Sequence, residues 1–407
     1  MIKLNKAARI LAAGFCINLC MGILYAWSVF KQALVVEQGW SNADASMPYT
    51  VAVICFSLSL LVAGVVQDRM GPRKVLILGT VMVGLGMIVS SFATSPIVLI
   101  LTFGILTGVG IGFGYACLAP SAMKWFHPSK KGLVNGLIAA GFGLAAVYLA
   151  PLTSSLIAEY GINNSFMILG VGILVIAVPL ACTISNPPEG YVPEAPAGYK
   201  AKTDSTPVSM DWRGMLKTPQ FYSLWAMYAL ASSAGLMIIG NITSIAAQQA
   251  NITQAAFLVV ILSVFNSGGR IAAGILSDKI GGVKTLMLAF IMQAVNMAMF
   301  AGYDGEFTLM VGAAMAGVGY GTLLAVFPSI TAEYYGLKNY GANYGVLYTA
   351  WGISGFIGPV VAAVAVDMTG TYSVAYMICA VMLGVAIVLS AVTKPVTEST
   401  LAKPALA

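Results

Sequence analysis

The feature that most constrains this chain is a ladder of apolar runs, each long enough to cross a bilayer. A membrane-spanning helix needs about 20 mostly apolar residues. Twelve such runs occur, over 8–30, 45–67, 73–93, 97–123, 132–157, 164–185, 219–246, 253–277, 283–303, 308–333, 341–366 and 372–393. Charge is scarce: 8% of the 407 residues are charged and 59% are apolar, whereas a soluble domain carries about a quarter charged residues. Such a chain cannot cover its surface for water, so its predicted solvent is a lipid bilayer. The 44 glycines suit helices whose backbones approach closely in lipid. The predicted fold class is an all-α membrane protein with twelve transmembrane helices. The first run is followed by others and reads as a true first span, not a cleavable signal.

Basic residues give the predicted orientation. Twelve spans put both ends on one side, and the side rich in lysine and arginine faces the cytoplasm. Eighteen of the twenty fall there: Lys3, Lys6, Arg9, Arg69, Arg73, Lys74, Lys124, Lys130, Lys131, Lys200, Lys202, Arg213, Lys217, Lys279, Lys284, Lys338, Lys394 and Lys403. Lys31 alone falls outside, with acids such as Glu37, Asp44, Glu159, Asp304, Glu306 and Asp367. One missed helix would invert every later loop and destroy this asymmetry. The expected location is a cell (plasma or inner) membrane, with both termini cytoplasmic.

The net charge of +6 does not point to nucleic acid, because the basic residues sit in short loops and form no continuous face. The six cysteines lie inside apolar runs and read as small buried hydrophobes. His127 is the only histidine, so no ligand set for a metal is expected, nor any cofactor. With no intramembrane histidine and no paired carboxylates, the chain is not expected to be an enzyme.

The chain repeats itself at an offset of about 209 residues. Gly64, Asp68, Arg69, Gly71 and Lys74 are echoed by Gly274, Asp278, Lys279, Gly281 and Lys284. Gly108-Val109-Gly110 is echoed by Gly317-Val318-Gly319, Pro120-Ser121 by Pro328-Ser329, and Gly132, Gly136 and Gly143 by Gly341, Gly345 and Gly352. Between the halves, residues 186–217 carry Pro187, Pro188, Pro193, Pro196 and Pro207 and read as an irregular linker. The predicted domains are a six-helix bundle over 1–185, a cytoplasmic linker over 186–217, and a second six-helix bundle over 218–407. Parallel halves of this kind imply a pathway between two pseudo-symmetric bundles.

The stretch Gly64-Val-Val-Gln-Asp68-Arg69-Met-Gly71-Pro-Arg73-Lys74 resembles the loop motif between helices 2 and 3 of the major facilitator superfamily, and its echo lies between helices 8 and 9. Tyr25-Ala26-Trp27-Ser28, the run from Trp125 to Leu133, and Asn343-Tyr344-Gly345 are similar to the oxalate/formate antiporter and monocarboxylate transporter group. The resemblance covers nearly the whole chain and is closest to bacterial members of that group. It implies the major facilitator fold, and it implies that Asp68, Arg73 and Asp278 latch cytoplasmic helix ends as gating residues.

Arg270 is the residue on which function turns. It lies about eight residues from the cytoplasmic end of its span, roughly 12 Å deep in a core about 30 Å thick. Burying it there costs about 2.5 kcal/mol or more. No aspartate or glutamate lies at that depth in any span, and the nearest, Glu333, sits at a helix end. That points to an anionic substrate as the counter-ion, and a guanidinium fork suits a carboxylate. Ser263, Asn266 and Arg270 share one helical face, with Asn266 placed to orient the guanidinium or the substrate. The resemblance implies that the helix 8 arginine contacts the anion. It also implies that Tyr25, Tyr115, Tyr320, Tyr348 and Trp351 line the cavity.

Two departures from the relatives narrow the expectation. The oxalate/formate antiporter has a lysine where this chain has Trp351, so a monoanion (lactate, pyruvate or acetate) fits better than a dianion. Animal monocarboxylate transporters have an aspartate where this chain has Asn266, so their obvious proton carrier is missing. The expected function is a secondary active transporter of small monocarboxylates by proton symport with alternating access. An anion exchanger of the oxalate/formate type, a transporter of an unrelated solute and a sensor stay open as alternatives.

Overall fold

In hydrocarbon every backbone N–H and C=O must find a partner inside the protein, and a helix supplies those partners within each run. The computed structural model describes residues 6–40, 42–193, 209–252 and 255–395, and among them there are helices and no strand. Lys3, Lys200, Lys202, Lys403 and residues 194–208 of the predicted linker lie outside the described residues, as do the side chains of Ser28 and Asp367.

In chain order the helices are α1 (Lys6–Met21), α2 (Trp27–Gln38), α3 (Asn42–Met70), α4 (Pro72–Ser90), α5 (Pro96–Leu99), α6 (Gly108–Met123), α7 (Lys131–Thr183), α8 (Trp212–Met215), α9 (Pro219–Ala250), α10 (Ala256–Ile280), α11 (Gly282–Phe300), α12 (Glu306–Tyr335), α13 (Tyr340–Thr369) and α14 (Ser373–Val392). A 3₁₀ turn over Gly22–Ala26 joins α1 to α2, and a π-helical stretch over Ile100–Thr107 joins α5 to α6.

Eleven stretches among the described residues are long and apolar enough to cross a membrane. One of them, Pro128–Thr183, has 56 residues and would reach roughly 80 Å as a single helix. It is broken at Gly161, where φ is 78° and ψ is 168°, a conformation open essentially to glycine alone. Counted as two spans, this stretch brings the total among the described residues to the predicted twelve. The first span differs in detail from the expectation over 8–30. Helix continues past it to Gln38, because Lys31 and Glu37 end the apolar signal without ending the helix. Trp27 Nε1, donating to the Ala45 carbonyl at 3.1 Å, ties this extension to α3.

The repeat is visible in the backbone. Gly71 (φ 83°, ψ 160°) joins α3 to α4, and Gly281 (φ 93°, ψ 151°) joins α10 to α11. By contact the chain clusters into two units, Met1–Phe126 with Gly141–Pro193, and His127–Ala140 with Glu194–Ala407. The first turns of α7 thus belong with the second unit. Within the first unit α6 packs on α3 and α4; within the second, α12 packs on α10 and α11 in the equivalent way.

Candidate substrate-binding site

The site is built on α10. Val259, Val260, Val264, Phe265, Ile275 and Leu276 make its exposed apolar face, while Ser263, Asn266, Ser267, Arg270 and Ser277 are buried. Two neighbours press on that polar face through glycines. A Cβ at Gly317 or Gly321 of α12 would collide with the Leu262 or Asn266 carbonyl, and one at Gly136 of α7 would collide with the Arg270 carbonyl. Small residues are what allow such backbone-to-backbone packing in a membrane.

Arg270 is wholly buried (0% exposed) and Asn266 nearly so (2%). Arg270 Nε donates to Asn266 Oδ1 at 3.1 Å, one helical turn away, as their spacing predicts. Arg270 Nη1 donates to the Ala139 carbonyl oxygen of α7. Both acceptors are neutral. They satisfy hydrogen-bonding geometry without cancelling the positive charge.

The aromatic residues form two groups, one in each unit. In the second unit Trp351 Nε1 donates to the Tyr320 hydroxyl at 2.6 Å. Tyr348 stacks on Trp351 with centroids 5.0 Å apart and planes 25° apart. Tyr344 continues the series at 5.5 Å from Tyr348, and Tyr340 stacks on Tyr344 at 5.6 Å. Tyr228 of α9 meets Tyr348 edge-on at 6.2 Å. In the first unit Phe142 gathers Tyr115 at 5.4 Å and Tyr25 at 5.6 Å, both edge-on, and Phe56 joins Tyr115 at 5.6 Å. Sequence reasoning named Tyr348 and Trp351 and missed Tyr340 and Tyr344, although the spacing 340, 344, 348, 351 was a readable signal. Nothing in the sequence singled out Tyr228.

Among the gating candidates, Asp278 is held most clearly. Its Oδ1 accepts from Gly132 N at 2.7 Å and its Oδ2 from Leu133 N at 2.9 Å. These are orphan donors of the first turn of α7, and a carboxylate there also meets the positive end of the helix dipole. Arg73 Nε donates to the Ile184 carbonyl at 3.1 Å, just past the end of α7 in the first unit. Asp68 Oδ1 accepts from Gln67 Nε2 at 3.1 Å. No group of three His, Cys, Asp or Glu residues among those described is placed to hold a metal ion.

A membrane fold of two related units, with a cation deep in one helix, is the build of a secondary transporter. The model of the Major Facilitator Superfamily matches residues 10–300 and again 227–406. The chain belongs to this superfamily and is a transporter of that class. It is 29% identical to the oxalate:formate antiporter of Oxalobacter formigenes over 388 residues, covering 93% of this chain and 89% of that protein. It is 26% identical to monocarboxylate transporter 4 of Gallus gallus over 385 residues, covering 88% and 77%. Among solved structures, the fucose:proton symporter of Escherichia coli superposes with a TM-score of 0.74 at 12% identity, covering 96% of this chain and all of that one. The human organic anion transporter MFSD10 does so at 0.74 and 13% identity, covering 95% and all of that chain. At such identities the structural likeness speaks for the fold alone.

Proposed function

We propose that the chain is a secondary active transporter of small monocarboxylate anions (the lactate, pyruvate or acetate type), working by alternating access with proton symport in a cell membrane. The observation that carries this reading is Arg270, a buried guanidinium at mid-span whose two hydrogen bonds described above are to neutral oxygens. A carboxylate brings the charge and the paired acceptors that such a fork suits. The similarity to an oxalate:formate antiporter and to monocarboxylate transporters supports the same substrate class. Asn266 orients the guanidinium, and Tyr25, Tyr115, Tyr320, Tyr348 and Trp351 shape the space for the organic part. The indole of Trp351, where a second cation would favour a dianion, supports a single carboxylate. Asp68, Arg73 and Asp278 serve as gating residues. Six-helix bundles over 1–185 and 218–407, a linker over 186–217 and cytoplasmic termini complete the arrangement.

Purified protein in liposomes tests the proposal. An imposed gradient, acid outside, should drive labelled lactate uptake with no anion inside, and oxalate should move poorly. Strong oxalate uptake without lactate uptake refutes the monoanion. Uptake that requires a trapped internal anion and ignores the gradient replaces symport by exchange.

A further inference from the structure

One face of α7 carries a row of contacts that leads from the helix start to Arg270. Lys131 Nζ donates to the Ala332 carbonyl at 3.3 Å. Gly132 and Leu133 donate to Asp278, as described. Asn135 Nδ2 donates to the Ala325 carbonyl at 2.7 Å and to the Leu324 carbonyl at 3.4 Å. The Ala139 carbonyl accepts from Arg270. Positions 131, 135 and 139 are successive turns of one helical face.

Asn135 is buried at 2% exposure, and Pro328 explains one of its two acceptors, the Leu324 carbonyl. Proline has no N–H, so the Leu324 carbonyl four residues before it lacks its helical donor. The Asn135 amide reaches that gap from α7. A buried amide bonded to two carbonyls of another helix fixes where its own helix sits, and here that sets the position of the Ala139 carbonyl one turn later.

We propose that Asn135 is a positioning residue that sets how strongly the Ala139 carbonyl competes with substrate for Arg270. This rests on the reading that Arg270 receives the carboxylate. Nε of Arg270 is bonded to Asn266, and Nη1, one prong of the Nη1–Nη2 fork that suits a carboxylate, serves Ala139. Seating a carboxylate on that fork displaces the Ala139 carbonyl and removes the innermost contact of the row. Ligand binding and undocking of the first turns of α7 are then one equilibrium. Apparent affinity is lowered by the fraction of molecules in which α7 is docked.

The test uses the full chain in lipid nanodiscs, with L-lactate as the probe and calorimetry as the readout. Asn135→Ala removes both bonds to α12, and Gly136→Ala drives a methyl into the Arg270 carbonyl, so the two weaken docking by different routes. Each is expected to bind lactate on the order of five- to tenfold more tightly, as the docked fraction falls, with faster amide exchange over residues 131–140. Tightening in whichever variant folds supports the coupling. If wild type binds lactate and every folded variant binds it equally or more weakly, the coupling is refuted while the reading of Arg270 stands. If wild type binds no monocarboxylate in a panel, both fall together.

Discussion

Replacing Arg270 by glutamine separates a binding arginine from a structural one, because the two roles predict different balances of stability and affinity. Arg270→Gln removes the hydrogen bonds to Asn266 and Ala139. Bonds to a charged group are worth about 1.5–3 kcal/mol each, so the loss is about 3–6 kcal/mol. The same change removes a deep charge whose insertion costs about 2.5–3.5 kcal/mol, and glutamine retains an amide that can restore one bond. The terms nearly offset, and unliganded stability should change by no more than about 2 kcal/mol. Carboxylate binding is offset only by the Ala139 bond that the ligand displaces. Losing two charge-assisted bonds to the ligand, less that one, costs about 1.5–3 kcal/mol, or roughly 10- to 10²-fold in affinity. Unfolding in nanodiscs, followed with and without lactate, measures the first quantity, and calorimetry with the liposome assay measures the second. A variant that keeps lactate affinity within about threefold of wild type refutes the reasoning. So does one that loses stability heavily while its surviving folded fraction still transports.

Two further predictions follow from the same geometry. Asp278→Asn leaves one oxygen acceptor where two N–H groups converge and removes the negative charge from the helix start. It should weaken docking of the α7 N-terminus by about 1–2 kcal/mol, read as faster amide exchange at Gly132 and Leu133, and unchanged exchange there counts against the latch. Trp351→Lys breaks the indole bond to Tyr320 and adds a second cation, so oxalate uptake should rise at least tenfold relative to lactate in liposomes; an unaltered ratio shows that charge at this position does not select the anion.

The parts of the fold legible in the sequence are those that hydropathy and spacing report directly. The apolar runs locate the spans because lipid leaves a helix no alternative. The partnership of Arg270 with Asn266 follows from four-residue spacing, and the equal turns at Gly71 and Gly281 follow from the repeated motif. Boundaries were less legible where helix and membrane part company. α2 runs on to Gln38 through Lys31 and Glu37, and the six residues left between the fifth and sixth runs contain a break only at Gly161. Tertiary partners were not legible. Pro328 announces an orphaned carbonyl at Leu324, but nothing in the chain says that Asn135, nearly two hundred residues earlier, will meet it. That the first turns of α7 belong with the second unit likewise depends on the close approach of Gly132, Gly136 and Gly274, which spacing cannot report.

The matched turns at Gly71 and Gly281 have a consequence for where a charge can reside. Arg270 stands eleven positions before Gly281 (281 − 270), and the same count before Gly71 (71 − 60) lands on Leu60, 1% exposed. Asn266 corresponds in the same way to Phe56, 2% exposed. At these two positions a scaffold written twice thus holds a polar pair in one copy and two hydrocarbon side chains in the other. Backbone symmetry survives in this chain while chemical symmetry is given up, and the membrane must accommodate one deep cation of this kind instead of two.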